Sequence, residues 1–299
     1  RWVDRLTKEY CQECDMPTDS VEHHFLMEST GIYSRQLEGY ILETRPALKP
    51  IIENAVLIHS YRKSLNLKNE TDFLDAKGIA YYGSDRQPEY RQKNPEMYQT
   101  LAEMCRLREL YVTQVGAMQN FYESLQTPML KRMDTATIKV LNDKIDDLTR
   151  EIQKFVREHE ELRQQTEIMV SMPGIAILSA AIILAEIGPF RDFSNRNQIG
   201  AFCGLNPKQK ISGTSINRSK LSKAGSSFAR KIFYWDSTQA IKHDPYLADF
   251  YQRLIAKGKS PKTAKCACMR KVLTILRAMI ASNRKYSPEL FSKNVPKTA

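Results

Sequence analysis

The chain has 299 residues, of which 42% are hydrophobic and 26% charged, a balance typical of a globular protein with room for two or three domains. Its longest apolar stretch, Ile175 to Ile187, is interrupted by Ser179 and Glu186 and is too short to cross a bilayer, so we expect a cytoplasmic protein with no membrane partner. The net charge is +11, and it is unevenly distributed: from Gly188 onward, 22 Lys and Arg accompany only 5 Asp and Glu. This concentration of positive charge favours a nucleic acid partner over a surface that is basic only for solubility.

Residues 1–90 predict an α/β domain. Apolar residues at His24 to Met27 and at Leu48 to Ile52 indicate two short strands. Helical spacing occurs at residues 2–11, 33–42, 54–64 and 72–82. Because strands that alternate with helices usually form parallel sheets, we expect parallel strands in this domain.

A linker is expected at residues 84–95, and long helices follow at 91–168. The first runs from Met97 to Tyr122. The second has apolar residues at alternating steps of three and four from Ile138 to Leu162, with His159 in the one polar position. More than three such heptads predict an antiparallel coiled-coil hairpin that packs on itself or on a second copy.

Residues 169–299 predict a mainly helical, basic domain, with helices at 228–240 and 262–282 and loops at Asn206-Pro207, Ser212-Gly213 and Ala224-Gly225. Pro173-Gly174 precedes an apolar helix that ends at Gly188. This pattern fits a helix-hairpin-helix unit that meets phosphate through backbone amides. It fits an ordinary helix start equally well.

Three carboxylates are candidate metal ligands. Glu28 ends the first strand, while Asp72 and Asp75 share one face at a helix start. Carboxylates that converge at strand ends suit Mg²⁺ or Mn²⁺, which can stabilise the oxygens of a reacting phosphate. The alternative is that Asp72 caps a helix and Glu28 lies at the surface.

Ser212 is the candidate nucleophile, because a serine beside glycine in a loop rich in Lys and Arg can approach a phosphodiester. The alternative is a loop that only grips phosphate. The basic side chains expected to bind nucleic acid are Lys208, Lys210, Arg218, Lys220, Lys223, Arg230 and Lys231.

The six cysteines are weaker evidence for a functional site than the carboxylates and Ser212. Cys11 and Cys14 have the spacing of a zinc site, and Cys266 and Cys268 form a second pair in a predicted helix. The helical pair has poor geometry for joint chelation, so we favour reduced thiols over zinc or disulfides.

Several of these motifs, in this order, resemble the IS one-ten insertion-sequence transposases, which are related to the Piv invertase. The resemblance rests on Met27 to Tyr33, Thr71 to Lys77, Pro173 to Gly188 and Ala201 to Gly225. It implies an N-terminal RuvC-like domain of RNase H fold with a catalytic Asp-Glu-Asp-Asp set, whose last three members match Glu28, Asp72 and Asp75. It also implies a C-terminal domain whose serine, matched by Ser212, links covalently to DNA.

The resemblance further implies a coiled-coil homodimer, a tetramer on DNA, guidance by a structured RNA, and a nucleoid-associated protein of a bacterium or archaeon. The corresponding domains are 1–90, RuvC-like; 91–168, coiled coil; and 169–299, transposase domain with the serine. The family's first Asp lies on a strand well before the Glu, whereas 27 residues precede Glu28 here. We therefore expect the first strands of the N-terminal domain to be missing.

The resulting hypothesis is a DNA transposase or recombinase that cuts and rejoins DNA through a serine–phosphate intermediate, assisted by Mg²⁺-binding carboxylates. Two alternatives remain. One is a metal-dependent nuclease of Holliday-junction type, in which water attacks and Ser212 only binds. The other is an inactive nucleic-acid-binding relic.

Overall fold

The computed structural model describes residues 2–17, 23–65, 71–90, 94–193, 195–212, 216–221 and 225–291. The chain divides into two compact units, Arg1–Lys93 and Asn94–Ala299. Within the described residues, none of the helices combines the length and the apolar character needed to cross a membrane.

The N-terminal unit contains four helices and one small sheet among its described residues. Its elements are α1 (Trp2–Cys14), β1 (Leu26–Glu28), α2 (Ile32–Thr44), a 3₁₀ turn (Pro46–Leu48), β2 (Ile51–Glu53), α3 (Ala55–Ser64) and α4 (Asp72–Arg86). The strands β1 and β2 pair in parallel, with Leu26 opposite Ile51. The parallel pairing agrees with the sequence prediction, although both strands begin two or three residues later than expected.

Side-chain caps explain where α3 and α4 begin. The Asn54 side chain accepts a hydrogen bond from the Val56 N–H, and the Thr71 hydroxyl accepts one from the Leu74 N–H. Such bonds satisfy amides that have no partner within the helix. The helix α4 continues to Arg86, so it takes up the first residues of the predicted linker.

The C-terminal unit is mainly helical, with one two-stranded antiparallel sheet. Its elements are α5 (Glu96–Tyr122), α6 (Pro128–Glu158), α7 (Glu160–Val170), α8 (Ile177–Ile187), a 3₁₀ turn (Phe190–Asp192), α9 (Arg196–Phe202), β3 (Pro207–Ser212), β4 (Ile216–Leu221), α10 (Ser227–His243), α11 (Pro245–Ala256), α12 (Pro261–Ser282) and α13 (Pro288–Phe291).

The helices α5 and α6 form an antiparallel hairpin, in which Arg108 Nε donates to Thr149 Oγ1 at 2.7 Å. The predicted apolar seam does not run through one helix. It breaks at His159, whose extended backbone (φ −106°, ψ 109°) separates α6 from α7. The imidazole Nδ1 lies 2.8 Å from the Phe155 carbonyl oxygen, one of the acceptors that a helix end leaves without a backbone partner.

The core of this unit is built around α8. Most of its side chains are buried, including Ile183 and Leu184, and it packs against α5, α7 and α10. Burial of such side chains stabilises the fold by about 1.5–3 kcal/mol each. The turn before α8 is tight because Gly174 has φ +93° and a Cβ there would lie 2.5 Å from the Ala240 nitrogen. Gly174 therefore permits close packing against α10.

The C-terminal unit differs from the sequence prediction in its two strands and in the helices α9, α11 and α13. Loops were expected at Asn206-Pro207 and Ser212-Gly213, yet Pro207 and Ser212 are the first and last residues of β3, which pairs with β4 in a hairpin. The helix α11 was not predicted at all. It begins at Pro245, whose ring suits the first turn of a helix, and Asp244 caps it by accepting a hydrogen bond from the Tyr246 N–H.

Candidate nucleic-acid interface and strand-cutting site

The register of the β3–β4 hairpin relates Ser212, the predicted nucleophile, to several Lys and Arg positions. Its antiparallel register sets Ser212 opposite Ile216, Lys210 opposite Arg218 and Lys208 opposite Lys220. Directly opposed residues belong to the same face of a sheet, and alternate residues along a strand share that face. By register, Ser212 therefore shares one face of the ribbon with four cationic positions.

The position of Ser212 differs from the prediction of a serine in an open loop. It is the last residue of β3, where the ladder to β4 ends. Two predicted partners, Gly213 and the nucleic-acid-binding candidate Lys223, lie outside the described residues. A strand end fixes the backbone of Ser212, so the register defines its place relative to the cationic positions.

The base of the hairpin is held against α9 by backbone contact. A Cβ on Gly225 would lie 2.7 Å from the Gly204 nitrogen and 2.8 Å from the Cys203 carbonyl carbon, and closer still to the Phe202 oxygen. Just before β3, Asn206 Nδ2 donates to the Asn197 carbonyl oxygen at 2.9 Å. Asn206, which precedes β3, and Gly225, which follows β4 in sequence, are thereby both held against α9.

Glu186 ties this base to α5. Its carboxylate accepts hydrogen bonds from the Ser226 hydroxyl and, at 3.1 Å, from Arg106 Nε. The Ser226 oxygen also accepts from the Ala229 N–H and so caps α10. Glu186 is almost entirely buried, with 6% of its side chain exposed. From α8, it connects α5 with the residue that caps α10.

Arg230 and Lys231, both predicted to bind nucleic acid, make contacts within the protein. Arg230 Nη1 donates to the Gly225 carbonyl oxygen at 2.7 Å, and Lys231 Nζ lies 2.6 Å from Glu109 Oε1. Arg230 therefore helps to hold the backbone at Gly225 in place, and Glu109 of α5 balances the charge of Lys231.

A buried carboxyl group lies between α8 and α10. Asp236 is 4% exposed, and its Oδ1 accepts a hydrogen bond from the Ser179 hydroxyl at 2.8 Å. Burial raises the pKa of Asp236 from 3.8 to about 7, although the bond from Ser179 acts in the opposite direction. Sequence reasoning missed this group, because nothing in the local pattern marks it as buried.

In the N-terminal unit, Glu28 lies at the carboxyl end of β1, as predicted, and is partly buried. Its register partner in β2 is Glu53, which the sequence analysis did not single out. Glu53 Oε1 accepts a hydrogen bond from the Asn54 N–H at 2.8 Å, and Tyr82 donates to Oε2 at 3.4 Å. One edge of this sheet thus carries two carboxylates side by side.

Asp72 and Asp75 lie in the first turn of α4, where acidic residues suit the helix dipole. Asp72 is exposed, and Asp75 forms an ion pair with Arg62 of α3. Arg62 is 9% exposed, and its stem passes so close to Gly78 that a Cβ there would lie 2.6 Å from Arg62 Cγ. The Asp75 carboxylate is therefore already neutralised from within the unit.

In the part of the chain that the structure describes, these carboxylates do not form a preassembled metal site. Among the described residues, no three His, Cys, Asp or Glu side chains group closely enough to hold a metal. A divalent ion needs several oxygen ligands, and Asp75 already serves Arg62. The metal role of Glu28, Asp72 and Asp75 stays a prediction.

The cysteines are all free thiols. Burial raises the pKa of Cys105, Cys203 and Cys268 to about 12, so each is a neutral thiol at pH 7. Their environment is that of small apolar core residues.

Residues 166–252 match the sequence model of the transposase IS116/IS110/IS902 family. The matched stretch contains the turn at Gly174, the segment Gly204 to Pro207, the hairpin with Ser212, and α10. It covers the part of the chain where both strands of the cationic ribbon and its anchoring contacts lie.

Similar proteins include a "Pilin gene-inverting protein" of Moraxella bovis, which is 27% identical over 269 residues, 89% of this chain and 83% of that protein. A "Transposase for insertion sequence element IS1111A" of Coxiella burnetii is 24% identical over 196 residues, 60% of this chain and 53% of that protein. A protein of insertion element IS110 from Streptomyces coelicolor is 26% identical over 123 residues, 41% of this chain and 30% of its own length. These matches confirm the resemblance to insertion-sequence transposases.

Proposed function

We propose that this chain, a relative of the insertion-sequence transposases, is a DNA recombinase whose β3–β4 hairpin grips a DNA strand and presents Ser212 to it. The observation that carries the proposal is the hairpin register. It sets Lys208 opposite Lys220 and Lys210 opposite Arg218, beside Ser212. Like charges directly opposite each other destabilise a sheet, and a phosphate backbone bound along that face removes the penalty.

The proposed reaction is a transesterification. The Ser212 hydroxyl oxygen attacks a backbone phosphorus, an Oγ–P bond forms, and the bond from phosphorus to the 3′ oxygen breaks. The serine proton passes to solvent, and the leaving 3′ oxygen takes up a proton. The 5′ phosphate stays on the protein as an ester, so a 3′ hydroxyl of another strand can reverse the reaction and join a new partner.

The cationic positions of the hairpin support this chemistry. Negative charge develops on the phosphate oxygens in the transition state, and fixed cations stabilise it. The contacts of Asn206 and Gly225, which flank the hairpin in sequence, support the same function, because they hold both flanking positions against α9. A positioned nucleophile avoids much of the entropic cost of bringing two groups together.

Covalent capture tests the proposal. Tagged protein is recovered from cells under denaturing conditions, and the attached DNA is quantified and sequenced. We expect DNA joined through 5′ ends to the wild type and none joined to Ser212→Ala. The matched control is Ser219→Ala in β4, which should retain the adduct. An equal yield from Ser212→Ala would contradict the proposal and favour a nuclease in which water attacks.

We further propose a homodimer through the α5–α6 hairpin, with a tetramer on DNA. Apolar side chains are exposed at the end of the hairpin far from α8, namely Phe121, Met129, Leu130 and Met133. A group of exposed apolar side chains can mark a contact with another chain. Sedimentation should show a dimer for the wild type and a monomer for Met133→Glu.

A guide RNA and bound Mg²⁺ or Mn²⁺ are the remaining proposals, and both rest on the family resemblance alone. Sequencing of RNA that copurifies with the protein tests the first. For the second, Asp72→Ala and Asp75→Ala should each impair strand exchange, and normal exchange by both variants would contradict a metal role. No step of the proposed transesterification depends on a guide RNA or on a metal ion.

A further inference from the structure

The exposed side of α10 carries two aromatic rings and contacts a lysine. Trp235 is 57% exposed, and its ring stands edge-on to that of Tyr234 with centroids 5.9 Å apart. Lys265 of α12 reaches across, with Nζ 4.5 Å from the Tyr234 ring centroid and 3.3 Å from the Tyr234 hydroxyl oxygen. We name these three residues the α10 platform.

The α10 platform is ordered by its own contacts. The Tyr234 ring contacts both the perpendicular ring of Trp235 and the ammonium group of Lys265, and these contacts favour one arrangement of the three side chains. Single exposed apolar side chains are common on proteins. A large aromatic held in place beside a second aromatic and a cation is the arrangement that binds a flat, anionic ligand.

The surroundings of the platform are basic. Residues 225–291 contain thirteen Lys and Arg and four Asp and Glu, and two of the acids, Asp236 and Asp244, are buried. A third, Asp249, pairs with Arg253. The exposed surface therefore complements a polyanion. An acidic protein would satisfy the charge alone, whereas a nucleic acid also supplies flat rings for Trp235.

The platform lies on the helix that leaves the hairpin. The helix α10 begins at Ser227, just after Gly225 at the hairpin base, and Trp235 is eight residues further on. With a rise of about 1.5 Å per residue, Trp235 lies about 12 Å along the helix axis from that start. A strand of DNA that lies along α10 would cover this length within a few nucleotides.

We propose that the α10 platform is a stacking site for an unpaired base of single-stranded DNA, with Trp235 as the stacking surface and Lys265 beside the phosphate. Base faces are covered within a duplex, so an exposed indole can stack only on a base that has left its pair. The inference rests on the proposed action on DNA, since strand exchange passes through unpaired segments. It does not depend on the assignment of Ser212.

Binding without cleavage tests the platform. Trp2 and Trp235 are the two tryptophans of the chain, so a Trp2→Phe protein reports on Trp235 alone. We expect short oligo(dT) to quench its fluorescence and the matching oligo(dT)·oligo(dA) duplex to leave it nearly unchanged. Trp235→Ala should weaken oligo(dT) binding at least about fivefold, the lower end of what one stacked base contributes, and Trp235→Phe should restore most of it.

The matched control is Tyr40→Ala, which removes an exposed aromatic of the N-terminal unit and should leave oligo(dT) affinity unchanged. An absence of quenching would overturn the inference. So would an equal loss of duplex and single-strand binding in Trp235→Ala, tighter binding of oligo(U) than of oligo(dT), or a change of oligomeric state in Trp235→Ala. Because no cut is measured, loss of the Ser212 mechanism would leave these results intact.

Discussion

Asp236→Asn should abolish a fall in stability that the wild-type chain undergoes as pH rises towards 7. Asp236 is buried between α8 and α10 and accepts a hydrogen bond from Ser179. Asparagine has nearly the same shape and can still accept that bond through Oδ1. The variant therefore removes the ionisation of residue 236 with little change in packing.

The sign and size follow from the two pKa values. Burial raises the pKa of Asp236 to about 7, whereas an unfolded chain has the ordinary value of 3.8. Between these values the folded chain binds one more proton than the unfolded chain, so stability decreases by about 1.4 kcal/mol per pH unit. Stability from this group is fully present below about pH 4 and lost by about pH 7, a total of about 4 kcal/mol.

Urea denaturation at a series of pH values measures this effect. In a Trp2→Phe background, the fluorescence of Trp235, the neighbour of Asp236 in sequence, follows unfolding of the C-terminal unit. Between pH 5 and pH 7, the free energy of unfolding should fall by about 2–3 kcal/mol more in this background than in the same background carrying Asp236→Asn. The control, Asp249→Asn, should keep the profile of the background. Parallel pH profiles with and without Asp236→Asn would refute the reasoning.

Two further sets of substitutions test the anchoring of the hairpin. Gly225→Ala places a Cβ against the backbone of Gly204, which cannot move away as a side chain could. We therefore expect the free energy of unfolding to fall by about 1–3 kcal/mol, measured by thermal unfolding, and the covalent DNA adduct to be lost. In contrast, a Cβ at Gly116 in α5 meets no atom within 4 Å, so Gly116→Ala should stabilise the protein by up to about 1 kcal/mol. Equal effects at both glycines would contradict the steric argument. Glu186→Gln weakens the link to Arg106 and should cost about 1 kcal/mol, whereas Glu160→Gln on the exposed side of α7 should cost less than about 0.5 kcal/mol.

Periodicity was sufficient to predict most helices and the parallel strands. The apolar steps of α6 and the continuous apolar residues of α8 are strong local signals, and Gly188 marks the end of α8 where φ is +76°. The caps Asn54 and Thr71 likewise mark helix starts in the sequence. These features depend on neighbours within one or two turns.

The β3–β4 hairpin was missed because its strands lack an apolar face. Lys208 and Lys210 alternate with Gln209 and Ile211, so the pattern resembles a polar loop, and only the cross-strand pairing reveals a sheet. The break at His159 was missed for a related reason. The apolar spacing continues across His159, although the backbone of this single residue is extended and ends α6.

The candidate site could be predicted in part. Ser212 and the cations beside it follow from local sequence and resemblance, but their common face depends on the register between two strands. The roles of Glu186 and Asp75 depend on residues distant in sequence, Arg106 and Arg62 respectively. Long-range ion pairs of this kind leave no trace in spacing or composition.

The most direct measurement is the chemical identity of the side chain that carries DNA. Covalent complexes captured from cells are digested with nuclease and protease, and mass spectrometry locates the remaining nucleotide phosphate on a peptide. The account predicts one modified site, Ser212, in the peptide that spans the end of β3. A nucleotide on any other side chain, or cut DNA without a modified peptide, would contradict it.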